Sequence, residues 1–126
     1  MERDVGKIVL VVDDYPDALD LMEALISKEG YEVWKAESAF VGLQILENQR
    51  PDAVVLDIMM PGRTGVEMLE NIRWDPKLAK IPVVCVSAAN VRGEALEFIK
   101  EFSLGLIDKA NIRELVVELK KVLPDS

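Results

Sequence analysis

The chain has no histidine and one cysteine, and each scarcity removes a class of function. Without histidine there is neither imidazole catalysis nor a phosphohistidine relay within the chain. Cys85 stands alone, so no intrachain disulfide can form. Its place in the apolar run Val83-Val84-Cys85-Val86 suits a small buried hydrophobe better than a reactive thiol. A reducing, cytoplasmic setting is expected. Basic residues are few: 15 against 23 acidic, a formal charge of −8. A surface of that sign repels nucleic acid, so no direct nucleic-acid contact is expected. Long hydrophobic runs are missing too. No stretch approaches the ~20 apolar residues needed to span a bilayer, and no signal peptide is expected, since Met1-Glu2-Arg3-Asp4 is charged and the apolar run after it is only strand-length. No membrane association is expected.

The chain holds 126 residues, half of them hydrophobic and 30% charged, the balance of one globular domain. Short runs rich in Val and Ile alternate with longer segments of helical period. Strands are expected over 7–12, 31–36, 53–56, 83–86 and 105–108. Helices are expected over 16–28, 39–49, 64–74 and 91–102, with a last one capped by Asn111. Pro16 and Gly30 bracket the first helix as its start and stop. The second should present Phe40, Leu43 and Leu46 on one face. The third should open on a Thr64–Glu67 capping box. The fourth should bury Ala95, Phe98, Ile99 and Phe102, and the last Ile112, Leu115, Val116, Leu119 and Leu123. Five βα units without clean strand alternation mean an α/β fold, a doubly wound five-stranded parallel sheet with five helices on two faces.

Polar residues follow the strands in a telling order: Asp13-Asp14, Asp57, Ser87 and Lys109. In an open parallel sheet the carboxyl ends of the strands share one edge, so these five residues converge there. Like charges ~4 Å apart repel by roughly 4 kcal/mol at an effective dielectric of ~20, which a hard cation relieves. Mg²⁺ suits one or two direct carboxylates plus waters and phosphate oxygens. A phosphoryl group needs its oxygens neutralised, which a metal, an ammonium and a hydroxyl supply. Asp57 as nucleophile would then form an aspartyl phosphate. Singly, each residue has a plainer reading. Asp13 or Asp14 could be a turn or helix cap, Ser87 a loop residue, and Lys109 a structural ion pair. Met59 and Met60 are packing or loop residues, of which only the Met59 main-chain carbonyl could reach a metal. The coincidence at successive strand ends carries the inference.

From end to end the chain resembles a receiver domain of the two-component response regulators, of the chemotaxis-type single-domain fold. The matching residues are Val11-Val12-Asp13-Asp14, Leu56-Asp57-Ile58-Met59-Met60-Pro61-Gly62, Val86-Ser87-Ala88 and Lys109. The resemblance implies the flavodoxin-like strand order 2-1-3-4-5, which is a documented example of that order. It implies one receiver domain over residues 1–126 with no output domain. It implies that Asp57 accepts a phosphoryl group from a histidine kinase, a phosphotransfer protein or a small donor such as acetyl phosphate. Asp14 and Asp57 would bind Mg²⁺ directly, Asp13 through water, and the Met59 carbonyl would complete the site. Ser87 would hydrogen-bond the phosphoryl oxygen, and Lys109 would pair with it. A downstream protein would read the face of the fourth helix, fifth strand and fifth helix. The chain would not be an enzyme beyond self-phosphorylation and slow self-dephosphorylation.

Two residues depart from the family pattern. Ala110 stands where proline commonly follows the lysine, so that bond is either trans or strained, a non-proline cis bond costing ~3–4 kcal/mol. Leu106 replaces the usual aromatic ring of the switch. Met59 and Ala89 offer no polar group to orient an attacking water, so slow loss of the phosphoryl group is expected. Three other classes are possible readings of the same edge. An aspartyl-nucleophile phosphohydrolase wants a second acid where Met59 stands. A flavodoxin wants a phosphate-binding loop where Asp13-Asp14-Tyr15 stands. A receiver-like module insensitive to phosphate would bind its partner in either state.

Overall fold

Valine and isoleucine dominate the runs that become strands, since branched side chains pack well on a pleated surface. The computed structural model describes residues 7–60, 65–88 and 90–123. In chain order it contains β1 (Ile8–Val12), α1 (Pro16–Ser27), β2 (Glu32–Ala36), α2 (Ala39–Asn48), β3 (Ala53–Asp57) and α3 (Gly65–Trp74). Then come β4 (Val83–Ser87), α4 (Gly93–Phe102), β5 (Leu106–Asp108) and α5 (Glu114–Val122), with a short 3₁₀ turn over Lys109–Asn111. All strand pairs are parallel and the order is β2-β1-β3-β4-β5, the doubly wound order expected.

The sheet separates two cores. Val9 and Val11 face one way, toward Leu19, Met22 and Ile26 of α1 and Leu115 and Leu119 of α5. Leu10 and Val12 face the other way, toward Leu46 of α2, Met68, Leu69 and Ile72 of α3 and Ile99 of α4. This is the alternation of a strand covered on both faces. Register then sets the functional edge. Val12 pairs with Leu56, so Asp13 and Asp57 stand level on adjacent strands. Asp57 pairs with Val86 and Ser87 with Asp108, which brings Ser87 and Lys109 to the same edge.

Three expectations about the helices are corrected. Phe40 does not face inward: it is 65% exposed, and the buried residues of α2 are Ala39, Gly42 and Leu46. A Cβ added at Gly42 would lie 2.9 Å from Met68 Cε, so close approach of the small-residue face decides the rotation of this helix. Asn111 does not cap the last helix. The Asp108 carboxylate accepts from the Ala110 N–H at 2.9 Å, and the resulting 3₁₀ turn delays α5 until Glu114. In α4 only Ile99 is buried, while Ala95, Phe98 and Phe102 are half-buried, and the helix starts at Gly93 rather than Val91. Thr64 of the expected capping box lies outside the described residues.

Helix α4 is secured at its C-terminal end. Arg73 on α3 donates from Nε to the Phe102 carbonyl at 2.6 Å, and from Nη1 to those of Ile81 at 2.9 Å and Ala79 at 3.2 Å. Ser103 Oγ donates to the Ile99 carbonyl at 2.6 Å and accepts from the Gly105 N–H at 3.1 Å. At the other end, Arg92 makes no side-chain cap. Replacing Arg73 with Met keeps its apolar stem and removes its donors. The urea midpoint should fall by the equivalent of about 2–3 kcal/mol; an unchanged midpoint would show that the three carbonyls are satisfied without it.

Candidate functional site

Parallel strands in register leave their last residues side by side, and here those residues are acidic. Asp57 ends β3 and is 3% exposed. Its Oδ1 accepts from the Met59 N–H at 3.1 Å, which fixes the carboxylate's orientation. Asp13 is fully buried; its N–H donates to the Ala36 carbonyl at 3.1 Å and its Oδ1 accepts from the Tyr15 N–H at 2.9 Å. That turn points Asp13 inward and leaves its neighbour Asp14 exposed. The two side chains therefore diverge, yet one oxygen from each of Asp13, Asp14 and Asp57 falls within 4.8 Å of the others.

Lys109 reaches into this cluster, with Nζ 2.6 Å from Asp13 Oδ2 and 3.5 Å from Asp57 Oδ2. Asp13 Oδ2 is buried without an aligned hydrogen bond, so the lysine charge compensates it. Burial, and then the neighbouring Asp13 charge, push the Asp57 carboxyl up to about 6; the Met59 amide and Lys109 pull the other way. For Lys109 burial works downward, but Asp13 and Asp57 outweigh it and hold the ammonium above its ordinary value. A cavity of about 440 Å³ opens over the cluster, lined by Asp14, Asp57, Met59, Ala88 and Lys109 with Tyr15 at its rim.

Ser87 ends β4, is 1% exposed, and lines a neighbouring cavity of about 380 Å³ with Val91, Leu96 and Leu106. Leu106 opens β5 opposite Cys85 and is half-buried. The Lys109–Ala110 peptide bond is trans, as are all others described. Cys85 is buried and its thiol is pushed up to about 12, chiefly by burial, which bears out its reading as an inert hydrophobe. Ala89 and residues 61–64 lie outside the described residues.

One positioning residue escaped the sequence reading. Gly65 begins α3 directly against the end of β3, where an added Cβ would lie 2.2 Å from the Asp57 carbonyl oxygen and 2.6 Å from Ile58 Cα. Its N–H donates to the Ile58 carbonyl at 3.2 Å. Only glycine allows the helix so near the strand. A glycine at a helix start, where it weakens the helix, was the available signal.

The model of the response regulator receiver domain family matches residues 9–120. The chain belongs to that family. It is similar to the phosphate regulon transcriptional regulatory protein PhoB of Pseudomonas aeruginosa, 31% identical over 123 residues that make up 94% of this chain and 52% of PhoB. It spans 65% of the protein PilH of Pseudomonas aeruginosa and 20% of the response regulator PleD of Caulobacter vibrioides. Among solved structures it is similar to chemotaxis protein CheY4 of Vibrio cholerae (25% identical, TM-score 0.84, covering 94% of this chain and 99% of that one). It is similar as well to TrrA of Thermotoga maritima, solved with Mg²⁺ and BeF (30% identical, TM-score 0.81, 93% and 99% covered). Receiver domains are signalling domains of two-component systems, generally not enzymes, and work through phosphorylation. They bind Mg²⁺ at an acidic pocket and interact with histidine kinases and downstream effectors. The acidic cluster of this receiver is consistent with that chemistry. None of its described helices is long and apolar enough to cross a membrane.

The raised Asp57 value has a consequence for stability. Between the ordinary carboxylate value of 3.8 and about 6 the folded chain holds this proton more tightly than the unfolded one. Stability therefore falls as pH rises through that window, and ionised Asp57 opposes folding at neutral pH. Asp57→Asn should raise the urea midpoint in metal-free buffer at pH 7.5 and raise it less at pH 4. An equal gain at both values would show that Asp57 is not the group that titrates.

Proposed function

We propose that this receiver accepts a phosphoryl group on Asp57, with Mg²⁺ bound at the acidic cluster, from a histidine kinase or phosphotransfer protein, and so changes its partner-binding surface. The observation that carries this reading is the buried Asp57 carboxylate at the floor of an open cavity, with Lys109 beside it and Ser87 at the end of the next strand. Residues 1–126 act as one receiver domain, whose phosphorylation changes the surface it offers to a partner protein.

The cluster fits a hard cation. Three carboxylates offer only oxygen, lie within 4.8 Å, and include a buried oxygen with no aligned donor. Asp14 and Asp57 would hold Mg²⁺ directly, Asp13 through water, and the Met59 carbonyl would add a ligand. When bound, the ion would neutralise phosphoryl oxygens and the crowded carboxylates. The remaining work falls to the protein. An Asp57 oxygen attacks phosphorus, the bond from phosphorus to the donor's histidine nitrogen breaks, and an acyl phosphate forms. The Met59 amide keeps the nucleophile oriented. Lys109, already charged and half-buried between the two acids, turns to a phosphoryl oxygen, and the Ser87 hydroxyl donates to another. Displacement of Ser87 reaches the uncapped start of α4 through the cavity it shares with Val91, Leu96 and Leu106. Leu106 permits that closure without a ring swing, and α4, β5 and α5 carry the result outward.

Intact mass after incubation with acetyl phosphate and Mg²⁺ should show one added phosphoryl group, absent in Asp57→Asn and in metal-free buffer. Addition to the Asn variant, or failure with both acetyl phosphate and a phosphorylated kinase as donors, would sink the assignment. Met59 is exposed at the cavity wall and carries no hydrogen-bonding head to orient water. Met59→Asn should therefore shorten the lifetime of the acyl phosphate by about tenfold, each tenfold being 1.36 kcal/mol of barrier. Unchanged decay would place the barrier elsewhere.

A further inference from the structure

Away from the acidic edge, the outer face of α2, α3 and α4 carries an apolar surface that neither fold nor phosphorylation chemistry requires. Trp74, at the end of α3, is 61% exposed. Its indole meets the half-buried rings of Phe102 edge-on at 5.2 Å between centroids and Phe98 at 6.0 Å, and those two rings are 4.6 Å apart. On its other side Trp74 walls a groove of about 390 Å³ whose floor includes Leu43, Leu46 and Leu78. The indole thus stands between this groove and the half-buried rings of Phe98 and Phe102. Exposed tryptophan beside a formed groove is a common centre of protein–protein binding energy.

The rim of this face is acidic. Glu47 and Asp75 line the groove. Glu70 lies one turn before Trp74, Glu94 one turn before Phe98, and Glu101 one turn after it, all exposed. None of Glu47, Glu70, Glu94 and Glu101 forms an ion pair with a described residue. Against them stands Lys77 at the groove. Arg73 is occupied by three carbonyls, and Lys100 lines the cavity on the β5 side of α4.

We propose that this face docks a cationic amphipathic helix of a partner protein. Apolar side chains one turn apart, ~5–6 Å between Cβ atoms, would pack one into the groove and the next against the Phe98 and Phe102 rings across Trp74. Lysines or arginines flanking them would meet the carboxylate rim. The same charges argue against other occupants. A second copy of this chain, at −8, would set carboxylates against carboxylates. Anionic lipid and nucleic acid are repelled for the same reason. The surface is distinct from the acidic edge and does not depend on the phosphorylation reading.

The test uses the unphosphorylated full chain and titration calorimetry. The probe is an amphipathic leucine–lysine peptide of about five helical turns, compared with its leucine–glutamate counterpart and a scrambled leucine–lysine peptide. The leucine–lysine peptide should bind, and the other two at least about tenfold more weakly. Trp74→Ala, which forfeits the ring contacts to Phe98 and Phe102 but should keep a single cooperative urea transition, should weaken binding about tenfold. Reversing Glu70, Glu94 and Glu101 to Lys should do the same. Reversing Glu29, Glu37 and Glu114 changes the net charge equally elsewhere and should leave the affinity nearly unchanged. Equal losses from both charge reversals, an intact affinity in Trp74→Ala, or equal binding of the scrambled peptide would reduce the interaction to net charge and overturn the proposal. A Trp74-dependent dimer in sedimentation without peptide would overturn it as well, assigning the face to a second copy.

Discussion

Two buried carboxylates share one ammonium, and much of the functional edge follows from that arrangement. The register of β1 against β3 sets Asp13 and Asp57 side by side, where neither has bulk water to screen it. Lys109, delivered by the turn after β5, is the nearby positive charge. Burial, and then the charge of Asp13, keep Asp57 reluctant to ionise, and Lys109, which lies closer to Asp13 than to Asp57, offsets this only in part. That imbalance suits a site whose second carboxylate awaits a cation or a transferred group. It also ties the turn after β5 to the ends of β1 and β3.

The rest of the fold holds that edge still and leaves a neighbouring element less restrained. Strands β1, β3 and β4 are buried almost throughout, so the backbone carrying Asp57 and Ser87 has little freedom to shift. Gly65 lets α3 press directly on the Asp57 carbonyl. Helix α4 differs: one buried side chain, Ile99, and a C-terminal end fastened by Arg73 and Ser103 contrast with an uncapped beginning near Ser87. A helix fixed at one end and open at the other is a natural place for a small change at the edge to become a larger one at the surface.

How much of this could be read from residues alone depends on the range of the forces involved. The number, type and order of strands and helices were legible because branched runs and helical periods are local properties. Element ends came within one to three residues for the same reason. The convergence of Asp13, Asp14, Asp57, Ser87 and Lys109 was legible because a parallel sheet has one carboxyl edge, whatever its detailed packing. Helical spacing puts Phe40 on a face with Leu43 and Leu46, but the near contact of Gly42 with Met68 sets the helix rotation and leaves Phe40 exposed. Asn111 was misplaced because the Asp108 side chain competes for the turn.

By itself, then, the sequence determined the fold class, the polar edge and the kind of chemistry that edge supports, since these rest on period, composition and chain order. Only the tertiary structure decided that Asp13 turns inward while Asp14 stays out, that Lys109 favours Asp13, and that Gly65 is the only residue its place admits. It also decided that Trp74 stands exposed between a groove and the Phe98–Phe102 ring pair rather than inside a core. Each of these depends on distances between elements far apart in the chain, and close packing, which tolerates no overlap and little void, sets those distances only once all elements are assembled.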